Sequence, residues 1–287
     1  MGKARVKECA AWERPGPVMR LMVQGALWGL AVLVALPLVW MVSTALKTRG
    51  EALAGGLSLV PKEWAWGNFA EAWKSAELGR YYANSAWAAA VTTVLATAHN
   101  ALAGYAFAKL RFAGRGVLFG LAVGTMLLPF QAYFIFTYWI CGHLGYIDNL
   151  QALVVPFLAS GFGIFHMRQA IAGVPEELIE AGRMDGMSEL EVFVHVAAPA
   201  VRPALAALAV FTFMASWNSF FWPLIVIDST SRQTLPLAVK ALASNYYTES
   251  WPVQMAAATL ITLPAIGVFI LFQGAFTRGL TLGGVKE

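Results

Sequence analysis

Six stretches of the chain contain no Asp, Glu, Lys or Arg: residues 21–46, 81–108, 116–147, 149–167, 203–227 and 250–277. Each reaches the roughly 18 residues that a helix needs to cross a bilayer. A single charge at mid-bilayer costs about 2.5–3.5 kcal/mol on insertion scales, so six empty stretches in succession are a strong constraint. They predict an all-α integral membrane protein with six transmembrane helices. Composition agrees: 59% of the residues are hydrophobic, 13% are charged and the mean hydropathy is +0.62, where a soluble domain carries about 25% charged residues. The third stretch is longer than its task. Its 32 residues would make roughly 48 Å of helix against a hydrocarbon core of about 30 Å, so the helix is expected to end near Ile140, with a kink or break near Pro129.

Orientation follows from the basic residues. With the N-terminus inside, 13 of the 20 Lys and Arg fall on the cytoplasmic side and 7 outside, which places both termini in the cytoplasm. The loop 47–80 is basic and yet outside, and it weakens this bias. The first stretch is too long for a signal peptide and reads as an uncleaved span. The expected organisation is a cytoplasmic segment 1–20, a transmembrane domain 21–277 and a cytoplasmic tail 278–287. The two cysteines, Cys9 and Cys141, fall on opposite sides of the membrane and should not pair. No CxxC or Cys/His cluster suggests a metal or redox site. The net charge of +4 is not gathered into a basic stripe with interleaved aromatics, so nucleic acid is not an expected partner.

The loop 171–202 differs from its surroundings, with six acids and two bases between two spans. Pro175 suits the first turn of a helix, and Glu176 and Glu177 complement its N-terminus. Gly186 suits the left-handed residue that ends it. Ser188 and Glu191 have the spacing of a capping box opening a second helix. Pro199 and Pro203 mark the start of the fifth span. The prediction is a cytoplasmic helix–turn–helix, and a loop of that length with its own capped helices usually has a partner.

The run Glu180-Ala181-Gly182, then three residues, Gly186, then nine residues and Val196-Ala197-Ala198-Pro199 resembles the EAA loop of ATP-binding-cassette (ABC) importer permeases. The departures, Gly182 for Ala, Val196 for Ile and Ala198 for Leu, are small or apolar; Gly182 would loosen its helix by up to about 1 kcal/mol. Further runs resemble the six-span, maltose-type carbohydrate permeases: Ala35-Leu36-Pro37-Leu38-Val39-Trp40-Met41, Gly104-Tyr105-Ala106-Phe107-Ala108, Leu128-Pro129-Phe130-Gln131, Ser216-Trp217-Asn218 and Trp222-Pro223-Leu224. The resemblance implies that Glu180, Ala181, Gly182, Asp185, Gly186 and Pro199 couple the spans to cytoplasmic ATPase subunits. It also implies a second permease subunit, an extracytoplasmic solute-binding protein and a place in the inner membrane of a bacterium. The chain has no GxxxxGK[ST] run, so it cannot cradle nucleotide phosphates in the P-loop manner; no cofactor is expected in this chain, and ATP and Mg would be bound by the partner ATPase.

Sugars favour aromatic faces and amide groups, which makes Gln131, Tyr133, Trp217 and Asn218 candidates for the solute path. The same residue types also join helices in lipid or line the interface. His99 is read as an interhelical hydrogen-bonding residue or, alternatively, as part of a proton relay. Gly104 with Ala108, and Ala83, Ala86 and Ala90, offer small faces for close helix approach, including approach to a second subunit. An ion-coupled secondary transporter is the alternative reading, but it would ordinarily carry intramembrane charges and an internal repeat.

Overall fold

The computed structural model describes residues 16–54, 58–75, 77–238 and 250–281. Cys9 and most of the N-terminal segment 1–20 lie outside the described residues, as do residues 282–287 of the tail. Among those described, all regular structure is helical: α1 (Pro17–Ala45), α2 (Arg49–Leu53), α3 (Gly67–Ser75), α4 (Leu78–Lys109), α5 (Arg115–Gly124), α6 (Phe130–His143), α7 (Gly161–Ala172), α8 (Glu176–Met184), α9 (Glu189–Val192), α10 (Ala198–Ala200), α11 (Arg202–Trp217), α12 (Phe221–Val226) and α13 (Trp251–Thr281). Helix α13 thus continues past the expected boundary at residue 277.

Two helices, α1 and α13, are each long and apolar enough to cross a membrane. Three bent pairs reach that standard only when taken together. One is the third charge-free stretch, where α5 with its 3-10 extension to Leu127 meets α6 at 110°. The break falls at Leu128 and Pro129, both extended, with Pro129 as the cap of α6. A proline has no N–H to donate and disfavours helix in the residue before it, which is why the break forms there. Helix α6 runs on to His143, three residues past the expected end.

The fourth stretch, 149–167, is not one helix. It opens with two 3-10 turns, Leu150–Leu153 and Val155–Phe157, and bends by 46° into α7. Irregular backbone at membrane depth needs internal hydrogen-bond partners. Asn100 of α4 supplies one, its Oδ1 accepting the Ser160 N–H at 3.0 Å, and the Trp222 Nε1–H donates to the Ala152 carbonyl at 2.8 Å. The Ser160 hydroxyl in turn caps α7 by accepting from Gly163 N–H.

Helix α4 stands at the centre, packed against α7 and α11. Its buried stripe runs Leu78, Ser85, Ala88, Ala89, Thr92, Ala96, Asn100, Ala101, Gly104, Tyr105 and Lys109, the spacing of one helical face. Its 32 residues would span a bilayer, but its apolarity falls below that of α1 and α13. A helix with one face buried against protein can carry Asn100 and Thr92 on that face, because those groups do not meet lipid. Gly104 belongs to the contact with α7 of the same chain, whereas Ala83, Ala86, Ala90 and His99 are exposed. The expected hydrogen bond of His99 is absent among the described residues.

Candidate functional site

Helix α8 begins after Pro175, its cap residue, and ends at Asp185, with Gly186 at φ +82°. That left-handed conformation favours glycine. Ser188 then opens α9 through a capping box: its hydroxyl accepts from Glu191 N–H, and the Glu191 carboxylate accepts from Ser188 N–H at 2.8 Å. One π-helical turn, Phe193–Ala197, carries α9 into α10, and Pro199 sits in that last turn. At Val201 the rod bends by 88° into α11.

The inner face of this surface element packs on α4, α7 and α11 through Ile179, Val192, Phe193 and Ala197, against Ala101, Tyr105, Met167 and Leu208. Gly182 lies in the seam between α8 and the π turn, where an added Cβ would sit 3.3 Å from Val192 Cγ2 and 3.4 Å from Val196 Cγ2. The glycine that reads in sequence as a loosening of α8 instead permits a close approach.

The outer face carries Glu177, Glu180 and Asp185, all exposed and without an ion pair among the described residues. Beside them Met184 is 87% and Leu190 61% exposed, and Leu178 and Ala181 are exposed too. Of the six residues read as coupling residues, Glu180, Ala181, Asp185 and Gly186 lie on the outer face or its turn, while Gly182 is buried and Pro199 half-buried.

Sequence reasoning missed the fastening beneath. Lys109, at the end of α4, donates to the Val174 carbonyl at 2.7 Å and to Glu176 Oε2 at 2.8 Å. Arg183 pairs with Glu189 at 2.8 Å and reaches Glu176 at 3.8 Å. Tyr105, one turn before Lys109, donates to Glu189 Oε2 at 2.7 Å. The five residues close a ring. The Lys109 hydrogen bond, with the charges of Lys109, Arg183 and Arg111, holds the Glu176 carboxyl below its usual range. Glu189 is lowered chiefly by the Arg183 hydrogen bond and then by that of Tyr105. The only signal in the sequence was a lysine abutting a charge-free stretch, with a tyrosine four residues before it.

A cavity of about 920 Å³ runs along the α4 stripe between α6, α7, α11 and α12. Ser85, Thr92, Asn100, Thr212, Ser216 and Ser219 give it polar groups, and Phe130, Tyr133, Phe157, Phe162, Phe211 and Trp222 give it rings. No charged side chain lines it among the described residues. Of the four solute-path candidates only Tyr133 is part of its wall. Gln131 is exposed elsewhere. Trp217 is 4% exposed and stacks on Phe213 at 5.6 Å. Asn218 turns back to the Met214 carbonyl at 3.0 Å, capping its own helix.

A family model described as "Binding-protein-dependent transport system inner membrane component" matches residues 100–282, which include the surface element, α11 and α13. The chain belongs to this family. The permease is 32% identical over 260 residues to the arabinooligosaccharides transport system permease protein AraQ of Bacillus subtilis, covering 90% of this chain and 92% of that one. It is 33% identical over 266 residues to the lactose transport system permease protein LacG of Rhizobium radiobacter, covering 92% and 96%. It is 32% identical to the sn-glycerol-3-phosphate transport system permease protein UgpE of Pectobacterium atrosepticum, covering 80% and 84%. Its fold matches that of a bacterial ABC transporter involved in the import of the acidic polysaccharide alginate, with a TM-score of 0.78 at 23% identity, over 89% of this chain and 95% of that one. The permease is a membrane transport component of ABC type and not an enzyme, and family membership displaces the ion-coupled alternative.

Proposed function

We propose that this permease carries a carbohydrate inward across the cytoplasmic membrane, driven by separate ATPase subunits that bind ATP and Mg and dock on the outer face of α8–α10. The observation that carries this reading is the two-sided construction of that element. Its inner face is buried and clamped, while its outer face exposes Glu177, Glu180 and Asp185, without an ion pair among the described residues, beside exposed Met184 and Leu190. A solvated loop has no use for Met184 or Leu190 in that position, whereas a basic and apolar cleft on a partner would satisfy both. In this reading α1, α4, the bent α5–α6 pair, the bent 150–172 segment, α11 continued by α12, and α13 are six crossings between a cytoplasmic segment 1–20 and tail 278–287, with both termini cytoplasmic. A second permease subunit and an extracytoplasmic solute-binding protein complete the complex, and lipid surrounds it.

The cavity is the solute path. Hydroxyls and aromatic faces without charge suit a neutral saccharide, which stacks on rings and exchanges hydroxyl hydrogen bonds. An anionic solute would enter such a site without a counter-charge from the described residues that line it. Among the earlier candidates, Tyr133 supports this reading because it lines the cavity. The decisive experiment is to tag the chain, extract it in mild detergent and identify its companions by mass spectrometry. An ATPase and a second permease are the expected companions; a folded chain with no ATPase, even after gentle cross-linking, would overturn the proposal.

A further inference from the structure

The surface element is joined to the membrane part by the chain at both ends, through Gly173 and Val201. It is also fastened to α4, which it does not adjoin in sequence: Lys109 and Glu176 are 67 residues apart. The Lys109 side chain is only 4% exposed, and a buried cation holds its place only when paired. Two of its donors go to the Val174 carbonyl and to Glu176. Tyr105 grips Glu189 one turn higher, and Arg183 links the two carboxylates. The ring therefore meets α4 at two points, α8 at two and α9 at one. It resists rotation of α8 and α9 relative to α4, which a single contact would not. Docking needs none of this, since Glu180 and Asp185 of the outer face take no part. What α4 does carry is Ser85, Thr92 and Asn100 in the cavity wall.

We propose that the ring of Tyr105, Lys109, Glu176, Arg183 and Glu189 is the joint through which displacement of the surface element reaches α4 and the cavity, making these five positioning residues of the transport cycle. The proposal rests on the reading of α8–α10 as the ATPase docking surface.

The test uses the whole complex recovered with the tagged chain, carrying Ser219→Cys in a Cys9→Ser, Cys141→Ala background. Ser219 lines the cavity and is half-buried. The rate at which N-ethylmaleimide labels it is measured with and without ATP and vanadate. In the parent complex nucleotide should change this rate by about fivefold, the size of a modest coupling between sites. Glu176→Gln and Tyr105→Phe should erase the change while the ATPase still co-purifies and hydrolyses ATP, and Lys109→Arg should keep it. A parental response in both variants would overturn the proposal, and so would loss of the ATPase from them, which would make the ring part of the docking surface. An active parent complex whose labelling ignores nucleotide would also overturn it. Absence of any ATPase from the parent complex would instead sink the importer reading.

Discussion

A methyl group built on Gly104 would lie 2.6 Å from Met167 Cβ and 2.8 Å from the Arg168 backbone nitrogen, so α4 and α7 would have to part. At Gly163 it would meet Asn100 Cγ at 2.7 Å, while at Gly25 in α1 nothing lies within 4 Å. Gly104→Ala is therefore expected to destabilise the permease by about 1–3 kcal/mol through overpacking. Gly25→Ala should be neutral or stabilising by up to about 1 kcal/mol, because it only improves helix propensity. Thermal unfolding in detergent, followed by tryptophan fluorescence, separates the two. The ring carboxylates make a second prediction. Glu176 and Glu189 have their native pKa lowered from 4.5, so the stability they confer is fully present above that unfolded value and is lost as pH falls through the lower native values. Melting temperature should be flat with respect to this ring near neutrality and fall in acid. In Glu176→Gln the acid fall should be shallower, from a lower starting point.

The surface element shows which elements a sequence reveals. Gly186 and the Ser188–Glu191 box act over a few residues and are found in their expected roles, while Pro175 caps α8 instead of entering its first turn, so α8 and α9 were legible to within a residue. Gly186→Pro should break this element. It demands φ near −65° where the backbone sits at +82° and removes the hydrogen bond from Gly186 N–H to the Arg183 carbonyl at 3.1 Å. The variant is expected in the membrane fraction without its ATPase; normal co-purification would separate the turn from docking. The stretch 149–167 was not legible in this way. A count of charges cannot tell a helix from irregular backbone whose polar groups are satisfied by Asn100 and Trp222, since both partners lie far away in sequence. The ring was hidden for the same reason: its four charged residues and Tyr105 are unrelated in sequence until the fold brings them together.

At the scale of the whole molecule, the proposed solute path divides the sugar-binding residue types by whether they line the cavity. Trp217 and Asn218 have suitable chemistry but are committed to the core and to a helix end, whereas Thr212 lines the open space. Thr212→Trp should reduce ATP-driven uptake by about tenfold or more by filling the cavity, while Asn218→Leu should change it by less than about twofold. Comparable losses in both would move the solute path toward Asn218. The bend at Val201 adds a mechanical consequence. The rod Glu189–Ala200 and helix α11 meet at 88° without an intervening loop, which gives the geometry of a bell crank pivoting at Val201. Its arms measure roughly 18 Å and 24 Å at the helical rise. A push of about 3 Å normal to the short arm at its Ser188 end swings the far end of the long arm sideways by about 4 Å. That end carries Ser216 in the cavity wall, so a thrust at the protein's edge would become a lateral stroke beside the cavity.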